Sequence, residues 1–123
     1  MTVGTDIIEI ERVRRAAARR PAFWNRVLTP EEERYCRSKG DGAASLAGRF
    51  AAKEAVMKAL GVGLGDISFR DIEIMNDAAG APFLCLTAKT ADKMESAGLD
   101  RIVLSISHSR DYAVAVAIGE ERK

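Results

Sequence analysis

Apolar residues recur along the chain with two periods, and the switches between them predict an α+β fold. From Leu46 to Gly61 (LAGRFAAKEAVMKALG) the spacing is helical, and three rows of residues separate. Gly48, Ala51, Ala52, Ala55 and Ala59 make a stripe of very small side chains. Phe50, Glu54 and Lys58 step up a second face, and Arg49 and Lys53 form a third row. So small a stripe lets the helix lie unusually close to whatever it packs on. Near the C-terminus the period becomes two. Ile102, Leu104 and Ile106 alternate with Val103, Ser105 and Ser107, and then Tyr112, Val114, Val116 and Ile118 alternate with Ala113, Ala115 and Ala117. This pattern predicts a hairpin whose last strand has an alanine face matching the small stripe of the helix. The two are expected to pack together, with His108 and Asp111 at the hairpin tip near one helix end.

The remaining elements follow from local signals. Thr2–Ile8 (TVGTDII) reads as a strand in which Gly4 permits close backbone approach. Asp6 is out of place among these aliphatics, since a buried carboxylate is costly unless paired or bound to a cation. Either it serves such a purpose, or it ends the strand and caps the next helix. Glu9–Arg20 is predicted helical, with Arg12, Arg15 and Arg19 on one face and Ile10, Val13 and Ala17 on another. Pro21 ends it, and Ala22–Leu28 is a short core-packing helical turn. Thr29-Pro30-Glu31-Glu32 is a helix start, with Thr as cap, Pro at the first position and Glu at the third, running to about Ser38. Gly63 and Gly65 mark a loop without the Gly-Lys-Ser/Thr ending of a nucleotide-binding P-loop. Asp71–Asn76 and Pro82–Ala88 are expected to pair as a hairpin. Thr87–Gly98 is expected to be a helix with Gly98 at its C-terminal end.

Composition narrows the classes of function. The chain of 123 residues is expected to be one domain, residues 1–123, and its 47% hydrophobic and 30% charged content is ordinary for a globular protein. A net charge of +1 gives no reason to expect nucleic acid, and no apolar run of membrane-spanning length occurs. No secretory leader is evident at MTVGTDIIEI, so a cytoplasmic location is expected. Cys36 and Cys85 stand apart without metal-ligand spacing, which predicts two reduced thiols, Cys85 being buried in a strand. Charge is uneven, however. Residues 9–26 carry six arginines against Glu9 and Glu11.

These residues by themselves leave choices open. Glu54 and Lys58 are in the favourable order for a surface ion pair, worth only about 0.2–0.5 kcal/mol. The basic helix is by default a solvated face, with cations suited to its C-terminal dipole. An acidic pair, Asp6 and Glu54, near cations that suit a phosphate is as far as residue chemistry reaches.

Three blocks taken together go further. VGTDIIEIERV, GRFAAKEAVMKALG and SISHSRDYAVAVAI resemble, in order and spacing, the signature blocks of holo-acyl-carrier-protein synthases, the short 4′-phosphopantetheinyl transferases. The middle block is the most specific, with Phe50, Lys53, Glu54, Ala55, Lys58 and Ala59 all matching. Thr2 departs from a common glycine, and Ala81 from a common cation before the hairpin proline. The resemblance implies a small antiparallel sheet on a long central helix and transfer of phosphopantetheine from coenzyme A to a serine of an apo acyl carrier protein. Adenosine 3′,5′-bisphosphate is released. It implies Mg²⁺ held by Asp6 and Glu54, with Lys58 beside the pyrophosphate, making these three the catalytic set. Arg49, His108 and Ser109 are implied at the nucleotide end of coenzyme A. The serine proton would pass to a water held by the cation, to Glu54 or to Asp111. Arg12, Arg15 and Arg19 are expected to dock the acidic carrier protein. The short family type further implies a homotrimer with coenzyme A between neighbours, and neither nucleic acid nor membrane as partner. Two other readings are a non-catalytic nucleotide- or polyphosphate-binding domain on the same scaffold, and a basic adaptor for acidic proteins. The adaptor leaves Asp6 and Glu54 without a purpose.

Overall fold

A computed structural model describes residues 1–123. The chain runs β1 (Thr2–Glu9), α1 (Ile10–Arg19), α2 (Ala22–Val27), α3 (Pro30–Arg37), α4 (Ala43–Leu60), β2 (Glu73–Asn76), β3 (Pro82–Cys85), α5 (Ala88–Ala97), β4 (Leu99–His108) and β5 (Tyr112–Glu121). β1, β5 and β4 form an antiparallel sheet in that order, and β2 and β3 form a separate hairpin. The long helix α4 lies across β1 and β5, as the matched small faces led one to expect.

The contact between α4 and the sheet is made by side chains that are nearly absent. Ala113, Ala115 and Ala117 of β5 are buried against Ala51, Ala52, Ala55 and Ala59 of α4 in one core. β1 comes closer still. A Cβ on Gly4 would lie 2.0 Å from the carbonyl oxygen of Ala55, so only glycine fits there. Pairing in register sets Gly4 opposite Ala117 and Asp6 opposite Ala115. Period-two geometry then puts Asp6 on the same face as Gly4, toward the helix. Asp6 therefore lies within β1 and caps nothing; the residue before α1 is Glu9, which makes no side-chain capping bond.

Several element ends differ from expectation for local reasons. α4 begins three residues before Leu46, at Ala43, because Asp41 Oδ1 accepts the Ala43 amide at 3.0 Å and Gly42 adopts φ +78°. Phe69–Asp71 is a 3-10 turn, held by Asp71 against Ser68, so β2 starts only at Glu73. β3 stops at Cys85, since Thr87 turns the chain to cap α5. Cys85 is consequently only half-buried; Cys36 is the fully enclosed thiol, its pKa pushed up by burial to about 11.

The Arg49–Lys53 row holds the largest difference. Both residues are buried, and Lys53 is wholly so. Its ammonium donates to Glu32 Oε1 (2.6 Å), to the Val27 carbonyl (2.5 Å) and to the Phe69 carbonyl (3.0 Å). Glu32 closes the expected capping box, accepting the Thr29 amide, and also takes the Ile74 amide at 3.0 Å. One ion pair thus ties α2, α3, β2 and the turn before β2 to the middle of α4. Burial pulls the Lys53 ammonium below the usual lysine range, and Glu32 opposes that pull.

Candidate active site

Asp6 projects from β1 toward α4, where Glu54 and Lys58 stand one turn apart on the row opposite the buried pair. Lys58 Nζ donates to the Thr5 carbonyl at 2.8 Å and lies 3.4 Å from Asp6 Oδ1. The ion pair formed is therefore Lys58 with Asp6, and not the surface pair with Glu54 that spacing alone allows. Desolvation raises the Glu54 carboxyl above its ordinary range, the Asp6 charge raises it further, and Lys58 opposes both. Two carboxylates are thus held within electrostatic reach of each other, a strain that a cation between them relieves. No cluster of three metal-ligating side chains exists in the chain. A pair of hard oxygen donors fits Mg²⁺, which keeps waters and takes substrate phosphate oxygens. It does not fit zinc, which prefers a closed set of nitrogen and sulfur ligands.

Asp6 and Glu54 line a cavity of about 520 Å³ together with Arg12, Phe23, Phe50 and Tyr112. Its apolar wall escaped the sequence reading. Phe50 lay in the same row as Glu54, but nothing in the sequence announced that Phe23 of α2 would stack on it, with centroids 6.2 Å apart. Arg12 reaches this cavity and also lines, with Arg15 and Arg19, an open hollow along α1. The basic face therefore runs up to the mouth of the acidic pair.

At the other end of α4 a smaller cleft of about 180 Å³ brings Arg49 and His108 together, with Tyr35 and Asn76 beside them. Arg49 is nearly enclosed. It donates to Asn76 Oδ1, and its guanidinium lies 4.8 Å from the centre of the Tyr35 ring. Ser109 is not among the residues of this cleft; its hydroxyl is engaged with Tyr112 within the β4–β5 turn. Asp111 opens into a separate polar hollow with Glu9, Arg14 and Arg110, away from Asp6 and Glu54.

Similarity to known proteins bears on the family and the fold. The family model for the 4′-phosphopantetheinyl transferase superfamily matches residues 2–117. The holo-acyl-carrier-protein synthase of Alkaliphilus metalliredigens is 47% identical over 116 residues, covering 94% of this chain and 95% of its own. That of Moorella thermoacetica is 47% identical over 120 residues, covering 98% and 94%. Among solved structures, the Helicobacter pylori synthase in complex with coenzyme A superposes with a TM-score of 0.85 at 36% identity, covering 96% of this chain and 99% of its own. The Neisseria meningitidis synthase gives 0.89 at 38%, covering 98% of each chain. With its blocks, its fold and its nearly full-length relatives in accord, this chain belongs to the 4′-phosphopantetheinyl transferase superfamily, among the holo-acyl-carrier-protein synthases.

Proposed function

We propose that Asp6, Glu54 and Lys58 form the reacting end of an enzyme that moves 4′-phosphopantetheine from coenzyme A to a serine of an apo acyl carrier protein. The observation that carries this reading is the convergence of Asp6 and Glu54 from two elements on one cavity, with Lys58 paired to Asp6, in a chain with nearly half its residues identical to curated synthases. The serine oxygen forms a bond to the β-phosphorus of coenzyme A as the bond to the bridging oxygen breaks. Adenosine 3′,5′-bisphosphate leaves, and the serine proton passes to a base.

Little covalent chemistry is asked of the protein in such a displacement; positioning and charge neutralisation carry it. Asp6 and Glu54 would hold Mg²⁺, which when bound neutralises pyrophosphate oxygens. Lys58, already aimed at the Thr5–Asp6 edge, steadies the leaving phosphate. Of the two side-chain bases weighed, Glu54 lines the cavity and Asp111 does not. Arg49 and His108 hold the nucleotide's 3′-phosphate in their cleft. The coenzyme A complexes of the Helicobacter pylori and Bacillus anthracis synthases support a nucleotide pocket in this fold.

Arg12, Arg15 and Arg19 receive the acidic carrier protein, steering it to the cavity that Arg12 shares. Incubation with apo carrier protein, coenzyme A and Mg²⁺ is expected to add one phosphopantetheine mass to the carrier. Arg19→Glu is expected to raise the KM for carrier severalfold while the KM for coenzyme A holds. Binding of coenzyme A without any adduct would favour the non-catalytic reading instead.

The outer face of the three-stranded sheet supports self-association, and the resemblance to the short family type makes a homotrimer the form proposed. Val3 and Ile7 are more than 60% exposed, and Tyr112 and Val114 are more than 40% exposed beside them. Light scattering is expected to give about three times the 13.3 kDa chain mass, and an active monomer would refute it. No helix is long and apolar enough to cross a membrane. Free Cys36 and Cys85 suit a reducing compartment, and we place the reaction in the cytoplasm.

A further inference from the structure

The buried cluster behind the Arg49–His108 cleft has one carboxylate for two cations. Glu32 and Lys53 are wholly buried and Arg49 nearly so. Glu32 Oε1 is taken by the Lys53 ammonium at 2.6 Å and by the Thr29 amide at 2.9 Å. Glu32 Oε2 accepts the Ile74 amide at 3.0 Å and makes only a long ion pair, 3.9 Å and without a hydrogen bond, with Arg49 Nε. That Nε is buried and has no hydrogen-bond partner. No other carboxylate lies within ion-pairing range of Arg49. Its other contacts, the Asn76 amide oxygen and the Tyr35 ring, carry no net charge.

A carboxylate so close to a buried guanidinium would ordinarily close on it and neutralise it. Here the stronger claims of Lys53 and two backbone amides hold it back. We infer that Lys53 is a positioning residue, which occupies Glu32 so that the positive charge of Arg49 is only partly offset and serves an anion in the cleft it shares with His108. The inference rests on the reading that Arg49 holds the nucleotide's 3′-phosphate. It assigns a binding role to a lysine that touches no ligand and has no route to solvent. It also explains why the lysine beside Glu54 points away from the reacting centre.

The test is calorimetric titration with adenosine 3′,5′-bisphosphate, with Mg²⁺ titrated separately as a control on the Asp6–Glu54 end. Lys53→Gln keeps a donor to Glu32 but removes the charge that offsets it, so the Glu32 charge falls on Arg49. Affinity for the bisphosphate is expected to fall about tenfold while Mg²⁺ affinity holds. Adding Glu32→Gln to Lys53→Gln removes the competing carboxylate and is expected to restore bisphosphate affinity to within about threefold. Unchanged affinity in Lys53→Gln, a parallel loss of Mg²⁺ binding, or no recovery in the double variant would each overturn the inference. Arg49→Gln separates it from the reading beneath: if that variant binds the bisphosphate normally, both fail. If it binds weakly while Lys53→Gln binds normally, only the role of Lys53 fails. A measurement on the unaltered protein covers the case in which Lys53→Gln does not fold. The Nε proton of Arg49 is expected at the upfield position of an arginine without a carboxylate bond, and a downfield-shifted resonance would overturn the inference.

Discussion

Glu54→Gln is expected to lower the rate of phosphopantetheine transfer by on the order of a hundredfold or more, with the fold intact. Gln keeps the shape of the side chain and loses the charge that binds a divalent cation. Burial and the neighbouring Asp6 both oppose ionisation of Glu54, so its carboxyl titrates above the ordinary range. A carboxyl whose folded pKa is raised favours the folded state below its unfolded value, and that advantage is lost as pH rises through the folded one. At neutral pH without metal the ionised Glu54 therefore opposes folding, and Gln should leave the melting temperature unchanged or slightly higher. Added Mg²⁺ should stabilise the unaltered protein and not the variant. Asp6→Ala is expected to lose transfer equally. Near-normal turnover in either variant at moderate Mg²⁺ would remove these residues from the site.

Glu32→Ala should cost about 3–5 kcal/mol of stability, because it strands the Lys53 ammonium among carbonyls with no countercharge. It also removes the acceptor for the Ile74 amide and opens the Thr29 capping box. Urea denaturation gives the measure. A loss below about 1 kcal/mol would mean that water or a neighbouring group replaces Glu32 in the interior, contrary to its complete enclosure.

What the sequence made legible and what it hid divide along the same helix. Its small stripe and the matching alanines of the last strand announce the close packing that carries Asp6 to Glu54, since both periodicities survive in the residue order. The Thr29–Glu32 cap is local and equally plain. By contrast, Arg49 and Lys53 share a spacing with any pair of solvated cations. Only the fold of residues 27–32 over α4 reveals that one is enclosed and the other nearly so. Tyr35, Asn76 and Phe23 join the clefts through contacts distant in sequence, which no periodicity records. His108 reached its predicted end of α4 because the hairpin alternation fixed its register; Ser109, in the turn itself, had no such constraint.

The helix also serves as a ruler. From Arg49 to Glu54 is five residues, about 7.5 Å of rise and about 140° of net rotation, and Lys58 lies about 6 Å further on. A single rigid rod thus sets both the separation and the relative aim of the two clefts, and hence the span of any molecule that bridges them. Inserting one residue between Arg49 and Glu54 would rotate one cleft by roughly a further 100° relative to the other, whereas the 61–68 loop can change length without moving either. Among descendants of this chain, length should vary in that loop and stay fixed in this one stretch of helix.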